Sequence, residues 1–324
     1  MKRSLWILLL GCIFLVVTSC GKDDDDLTTT TTTAAEAYQM SNKVTFWKDG
    51  NGIISQFLVY MPIPQTNIYQ RVENVTKTDG EVLTDRNYDN KVLYVERKDF
   101  PNTSYAVETT FNIYTKKVDV NMSSIKNIKP YDPNSEPCKR HLGDRGKYIM
   151  TSNPEIVKIG DELWQQSANV LDYARRCYEY VATHFRYING SWRTLDEILQ
   201  AGGGECGDFS TLVVNLLRYK GIPSRHNLCL TFSGGYHVWV DFYLEGYGWI
   251  PLDATYKNGN PQGDYFGKYN GECIVVMQDF CYDLGKEFQP EILQSYNYYY
   301  WYDEGTCKIS SIQSVRKMKT LEKE

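Results

Sequence analysis

The sequence has no excess of positive charge, because 40 acidic residues outnumber 35 lysines and arginines and give a formal net charge of −5. Without a basic field, nothing gathers the phosphates of a nucleic acid, which excludes nucleic acid as a partner. The chain also lacks a CxxC pair or a cluster of cysteine and histidine ligands, so we expect no metal and no cofactor. No internal repeat is evident.

The N-terminal apolar run, residues 5–17, is short for a bilayer core of about 30 Å. It follows Lys2 and Arg3, as in a secretory signal peptide, which we place at residues 1–19. An uncleaved transmembrane helix is the alternative. Residues 17–20, VTSC, resemble a bacterial lipobox, and this resemblance implies lipidation of Cys20 and a membrane anchor at that residue.

The segment after Cys20 is polar and lacks apolar periodicity. Its acidic start, GKDDDD, resembles the export signal of some surface-exposed lipoproteins, although a solvated charge run is the alternative. We interpret residues 20–42, which include LTTTTTTAAEA, as a lipidated flexible tether. The expected location is the cell envelope, as an outer-membrane lipoprotein that could be exposed at the surface.

The rest of the chain divides into two folded parts. Residues 43–128 contain short alternating runs between Asn, Asp, Gly and Pro signals, which predicts a β-sandwich. Residues 129–155 read as a linker that could border the functional cleft. Residues 156–324 begin with a pattern that predicts one long amphipathic helix over residues 161–184, followed by a short helix and a helix on a sheet. The fold class is therefore α+β.

A thiol, an imidazole and a carboxylate follow one another in the second part. Cys206 opens a predicted helix after a glycine run, and His237 and Asp253 lie on two predicted neighbouring strands. A helix N-terminus and an imidazolium both favour a thiolate, whereas a carboxylate fixes the tautomer of a histidine. We therefore predict a nucleophile, base and orienting residue, against the alternative of a buried structural cysteine.

Strand geometry adds a condition to this prediction. If residues 244–246 form a three-residue loop, His237 pairs directly with Asp253. A two-residue turn without a bulge would place the two side chains on opposite faces and count against the triad.

Four segments together resemble the catalytic core of the transglutaminase-like superfamily: GECGDFS, RYKGIPSRH, YHVWVDFYL and GWIPLDATY. The resemblance covers about residues 160–285. It implies a papain-like domain with helices packed on an antiparallel sheet, in which Cys206 is the nucleophile, His237 the base and Asp253 the orienting residue. The segment MPIPQTNIYQRV is similar to the β-domain that precedes many bacterial members of this family. The calcium sites of the animal enzymes have no counterpart.

The backbone N–H of Cys206 is one expected oxyanion donor, and the second is open. Gln200 has a spacing similar to that of the papain glutamine, and Trp192 loosely resembles the tryptophan of transglutaminases. Both residues also have ordinary structural explanations, in a helix end and in a loop. Of the nine cysteines, an even number remains after Cys12, Cys20 and Cys206, which permits disulfides without fixing their pairing.

The expected chemistry is acyl transfer from an amide through a thioester. Transfer to water makes a cysteine peptidase or amidase, acting on a peptide, glycopeptide or peptidoglycan-derived amide, and this is the version we favour. Transfer to an amine makes a cross-linking transglutaminase. A different class is a non-catalytic module that binds peptides or glycans, with the aromatic run SYNYYYWYDEG at its edge. A half-buried strand is the stronger interpretation of that run.

Overall fold

The computed structural model describes residues 30–100 and 104–323. The signal peptide and Cys20 therefore lie outside the described residues, as does the first part of the tether. No helix within the described ranges has the length and apolar character needed to cross a membrane.

The first structural unit is a β-sandwich, as the sequence predicts. One sheet has the strand order β12-β6-β1-β15, with β3 also paired to β6, and the other has the order β14-β2-β5-β4. Phe46 of the first sheet and Phe57 of the second pack edge to face, with ring centroids 5.1 Å apart, in a closed apolar core. The strands are β1 Thr30–Asp49, β2 Ile54–Ile63, β3 Gln70–Lys77, β4 Glu81–Thr84, β5 Lys91–Arg97, β6 Ser104–Val120, β12 Lys268–Tyr269, β14 Asn297–Tyr302 and β15 Lys308–Thr320.

Two predicted boundaries of this unit are wrong. Residues 30–42, assigned to the tether, form the first half of β1, where Thr30 pairs with Val120 and Thr33 with Lys117. Threonine is β-branched, so a threonine run suits a strand once a partner is present. The C-terminal strands β14 and β15, assigned to the second domain, return to complete the sandwich. The aromatic residues of β14 are mostly half-buried, so the strand interpretation of that segment is confirmed.

The second structural unit packs helices on a sheet of order β11-β10-β9-β13. Its central helix, α5, is almost wholly buried and lies against β10 and β9. The elements are α2 Pro154–Gln165, α3 Val170–His184, β7 Arg186–Tyr187, α4 Leu195–Ala201, β8 Gly203–Gly204, α5 Cys206–Tyr219, β9 Ser224–Thr231, β10 Tyr236–Leu244, β11 Gly248–Leu252, α6 Ala254–Gly259 and β13 Cys273–Gln278.

The predicted long helix over residues 161–184 is two helices. The break falls at Asn169, whose side chain accepts hydrogen bonds from the N–H groups of Leu171 and Asp172 and so caps α3. Asn153 caps α2 in the same way, ahead of Pro154 at its first position. The apolar residues of α2 and α3 keep the same helical spacing across the break, which is why the sequence pattern predicts one continuous helix.

The predicted linker, residues 129–155, contains the short helix α1 Glu136–His141 and packs on the second unit. Tyr131 donates to the carbonyl of Tyr243 at 2.7 Å, and the buried ring of His141 lies 3.2 Å from the carboxylate of Asp279. Arg140 of the same segment lies 2.6 Å from Asp89, between β4 and β5, so the segment contacts both units.

The segment MPIPQTNIYQ inserts two side chains from the sandwich into the second unit. The carboxamide of Gln70 donates to the carbonyl of Val275 and accepts from its N–H, at 2.7 and 2.8 Å, so it pairs with the outer strand β13 as another strand would. Tyr69 is fully buried and donates its hydroxyl to Asp241 of β10. Both faces of the sheet β11-β10-β9-β13 are consequently covered, although alternation in β10 predicts only one apolar face.

Candidate active site

Two glycines of the run before Cys206 are required by close packing, whereas Gly202 has open space around it and a left-handed φ of 62°. A Cβ at Gly203 would lie 2.0 Å from the backbone oxygen of Arg186, and one at Gly204 would lie 2.2 Å from the carboxylate of Asp208. After the cysteine, a Cβ at Gly207 would lie 2.7 Å from the ring of Trp192. The motif GGGECGD therefore lets β8 and the first turn of α5 fit between neighbouring chain segments.

The carboxylate of Asp208 stabilises the first turn of α5 through hydrogen bonds to the segments on either side of it. One oxygen of its buried carboxylate accepts from the N–H of Glu205 at 3.0 Å, and Arg193 binds the carboxylate through its backbone N–H and its guanidinium. Burial raises the pKa of Asp208, whereas its hydrogen bonds to Arg193 lower it in part. Cys206 is thereby fixed at the first position of α5, where unpaired N–H groups point toward its side chain.

The structure brings the three predicted side chains together. His237 Nε2 lies 2.5 Å from Asp253 Oδ2, and the Cys206 thiol interacts with the same imidazole. The other oxygen of Asp253 accepts from the N–H of Tyr256 at 2.9 Å, so the carboxylate also caps α6. Cys206, His237 and Asp253 are each no more than 8% exposed.

The predicted odd loop is present, but one residue further along. Residues 245–247 form the turn, Leu244 pairs with Gly248, and Val240 pairs with Leu252. His237 is therefore a diagonal neighbour of Asp253, two residues out of direct register, and the expected direct pair is wrong. The side chains still share a face because the shift is an even number of residues.

The electrostatics favour an imidazolium. Burial alone would lower the pKa of His237, but the charge of Asp253 and its hydrogen bond, joined by Cys206, raise it well above its ordinary value. Tyr256 stacks on the imidazole with ring centroids 4.5 Å apart and planes 10° apart. An imidazolium held beside the sulfur stabilises a thiolate.

The two candidate oxyanion donors occupy different places. Gln200 is exposed near the end of α4. Trp192 lies against Gly207, the residue after the thiol, and its indole N–H donates to Gln294 Oε1 at 3.3 Å. The second donor thus stays a prediction, and Trp192 adjoins the residue that follows the nucleophile.

Two further histidines have structural surroundings. His184 is exposed at the end of α3 and stacks on Tyr180. His226 is fully buried, where it lies 2.9 Å from Asp279 and 3.2 Å from Thr211. Burial lowers the pKa of His226, which keeps it neutral near pH 7.

Several residues at the site have no sequence signal. Gln294 comes from the segment that returns to the sandwich, and only the fold brings it to Trp192. Cys229 and Cys273 lie on β9 and β13 behind His237, and their mutual hydrogen bond lowers the pKa of Cys273. Every cysteine within the described ranges is a free thiol, so the permitted disulfides are not formed there. An aspartate such as Asp253 commonly caps the N-terminus of a helix and binds the N–H of a residue in its first turn. This capping preference is the local pattern that could have placed Tyr256 beside Asp253.

The site thus combines a thiol at a helix N-terminus, an imidazole on β10 and a carboxylate directly after β11. Residues 157–254 match the profile of the Transglutaminase-like superfamily. The chain therefore contains a transglutaminase-like domain at residues 157–254.

A solved structure supports the fold. The crystal structure of a candidate cysteine protease from Cytophaga hutchinsonii matches with a TM-score of 0.63 and 13% identity, covering 90% of this chain and 94% of that one. The periplasmic domain of TgpA from Pseudomonas aeruginosa has a TM-score of 0.39 and 14% identity, covering 73% of this chain and 96% of that one.

One curated relative is an uncharacterized protein from Haemophilus influenzae. It is 24% identical over 253 residues, which cover 63% of this chain. The chain spans 65% of the length of that relative.

Proposed function

We propose that the protein is a cysteine-dependent amide hydrolase, a peptidase or amidase, of the cell envelope. The observation that carries this proposal is the hydrogen-bonded succession from Cys206 through His237 to Asp253 at the N-terminus of α5. A buried structural cysteine needs neither a helix N-terminus nor an oriented imidazole, whereas a nucleophile needs both.

The proposed reaction has two steps. The Cys206 thiolate attacks the amide carbonyl while the N–H of Cys206 stabilises the developing oxyanion. The imidazolium of His237 then gives its proton to the leaving amine, and an acyl thioester forms. In the second step, neutral His237 removes a proton from water, which attacks the thioester and releases the acid. Asp253 keeps the imidazole oriented throughout.

The test is a mass-spectrometric search for the acyl group on Cys206. The protein is incubated with peptidoglycan fragments and with envelope peptides, then quenched in acid and digested. We expect a mass increase on the peptide that contains Cys206 and its absence in Cys206→Ala. A fluorescent primary amine added to the same reactions distinguishes the acceptors, because its incorporation into the acyl donor would identify a transglutaminase instead of a hydrolase.

A bound polymer with no acylated thiol and no released product would contradict the proposal. It would favour the alternative of a non-catalytic binding module. Cys206→Ala should then bind the polymer as well as the native protein does, which an equilibrium binding measurement would show.

We further propose that Cys20 carries a lipid and anchors the protein to the outer membrane. Support comes from the lipobox-like VTSC and the preceding apolar run. Cells given a clickable fatty acid should label the wild-type protein, and Cys20→Ala should lose the label and accumulate with an uncleaved signal. Labelling of Cys20→Ala by the fatty acid would contradict this assignment. Cys12→Ala, in the apolar run, is the matched control and should keep the label.

A further inference from the structure

Three side chains outside the triad adjoin its residues, either along the chain or through a strand pair. Glu205 immediately precedes the nucleophile and is 5% exposed. Tyr187 belongs to β7 and pairs with Gly204, so it adjoins the same turn. Tyr236 immediately precedes His237, and the two tyrosines are exposed by 48% and 50%.

The direction of Tyr236 follows from strand alternation. Tyr236, Val238 and Val240 share a face of β10, the face opposite to that of His237. Helix α5 packs on β10, and Ser210 of its second turn donates to the carbonyl of Val238 at 3.2 Å. Tyr236 lies two residues before Val238 and so reaches toward the N-terminal end of α5, where Glu205 and Cys206 lie.

The mutual electrostatic effects agree with this placement. The charge of Glu205, followed by burial and by Cys206, raises the pKa of Tyr236. Burial, followed by Cys206, Glu205 and Tyr236, raises the pKa of Tyr187. Tyr187, Tyr236, Glu205 and Cys206 therefore lie within electrostatic reach of one another.

Glu205 has no cationic partner among the described residues. Arg193, the nearby cation, is committed to Asp208 through a 2.7 Å contact. Burial and the charge of Asp208 raise the pKa of Glu205 to about 7, against a smaller opposing effect of Arg193. A carboxylate next to a thiolate opposes the formation of that thiolate, an effect that works against the His237 imidazolium and that a bound cation would reduce.

We propose that Glu205, Tyr187 and Tyr236 form a subsite for a positively charged group, such as a primary ammonium, on the substrate. The two exposed phenol rings supply aromatic faces, which attract cations, and the carboxylate supplies the opposite charge. This inference rests on the proposed function and narrows the substrates to amides that carry an amino group close to the reactive carbonyl. Binding of the ammonium would also offset the charge of Glu205 beside the thiolate.

The experiment uses small thiol reagents that differ only in charge. Aminoethyl methanethiosulfonate is cationic and sulfonatoethyl methanethiosulfonate is anionic, and both react with Cys206 to give a mixed disulfide with loss of methanesulfinate. The protein carries Cys281→Ser and Cys307→Ser, because these two thiols are partly exposed. For each variant, the reaction rate of the cationic reagent is divided by that of the anionic reagent. This ratio, divided by the same ratio measured on free glutathione, reports the local charge at Cys206.

We expect Glu205→Gln to lower the corrected ratio by about tenfold at pH 8, and to abolish its rise between pH 6 and 8 as Glu205 ionises. Tyr236→Leu should lower the ratio less. Glu304→Gln, an exposed site in the turn between β14 and β15, makes the same change in net charge and should leave the ratio unaltered.

An unchanged ratio in Glu205→Gln, or an equal fall in Glu304→Gln, would overturn the subsite. Thermal melting identifies any variant that fails to fold. If Glu205→Gln does not fold, the corrected rate ratio of Tyr236→Leu tests the subsite independently. Failure of the proposed function looks different. If His237 did not activate Cys206, His237→Ala would leave both reagents at their original rates, whatever the ratio between them.

Discussion

Alkylation of Cys206 by iodoacetamide at pH 7 is expected to slow about tenfold when His237 is replaced by alanine. An ordinary thiol with a pKa of about 8.5 is only about 3% thiolate at that pH, whereas a thiolate paired with an imidazolium is largely ionised. The gain in thiolate is partly offset because thiolates of lower pKa are weaker nucleophiles. Timed quenching and intact mass measurement of the protein lacking Cys281 and Cys307 provide the rates.

The pH dependence sharpens this prediction. The raised pKa of His237 keeps the imidazole protonated through neutrality, so the faster labelling of the wild type relative to His237→Ala should persist as pH rises past 6.5, the ordinary pKa of histidine. Labelling of His237→Ala should fall about tenfold for each pH unit below 8.5. Asp253→Asn is the matched variant, since it keeps the shape of the side chain but removes the charge that holds the proton. Identical pH profiles in all three proteins would show an ordinary thiol.

The same pair makes a contribution to stability with a definite sign. Because the folded state raises the pKa of His237, it binds a proton more tightly than the unfolded chain does. The stabilisation by Asp253 is complete below the unfolded pKa of about 6.5 and disappears as pH rises through the folded value. The destabilisation caused by Asp253→Asn should therefore be larger at pH 6 than at high pH.

The triad could be predicted because its three residues sit in local patterns. Cys206 follows a glycine run at a helix start, and His237 and Asp253 lie on either side of one hairpin. Even here the register was wrong by two residues, because the turn at 245–247 is set by backbone geometry that several loop positions satisfy. The prediction that both side chains lie on one face of the sheet was still correct, since the face depends only on whether the register shift is even or odd.

Contacts between distant parts of the chain could not be predicted. Nothing local indicates that β15 pairs with β1, that Gln70 pairs with Val275, or that Gln294 accepts from Trp192. Each contact depends on how the sandwich docks on the second unit. The aromatic strand β14 shows the same limit, because its composition indicates a strand but not the sheet to which it belongs.

The other large expected effect concerns a buried ion pair behind the site. Arg218 of α5 and Asp279, which follows β13, lie 2.6 Å apart, and neither side chain is exposed. The guanidinium also donates to the carbonyls of Ser224 and Gly143, and Asp279 contacts His226 and His141. The pair joins α5, the sheet and the linker segment around one charge centre.

Arg218→Met should destabilise the protein by about 3–5 kcal/mol, because it leaves the Asp279 carboxylate buried without its cation. The neighbouring histidines cannot replace that cation easily, since burial lowers the pKa of His141 to about 4 and also lowers that of His226. Urea unfolding followed by tryptophan fluorescence measures the change. Arg86→Met, at an exposed ion pair with Asp283, is the matched control and should change stability by less than about 1 kcal/mol.

The double variant Arg218→Met, Asp279→Asn separates the ion pair from simple packing. Asp279 has a φ of 59°, which asparagine tolerates, so the second change removes the charge without forcing the backbone. We expect the double variant to be more stable than Arg218→Met alone, since it no longer buries an unpaired carboxylate.

The pKa of Asp279 is held well below its usual range by Arg218 and the two histidines despite its burial. Its contribution to stability should therefore persist above about pH 4 and be lost as pH falls further. Equal stability of the single and double variants at pH 7 would show that the loss comes from the missing contacts of the arginine chain and not from the charge left behind.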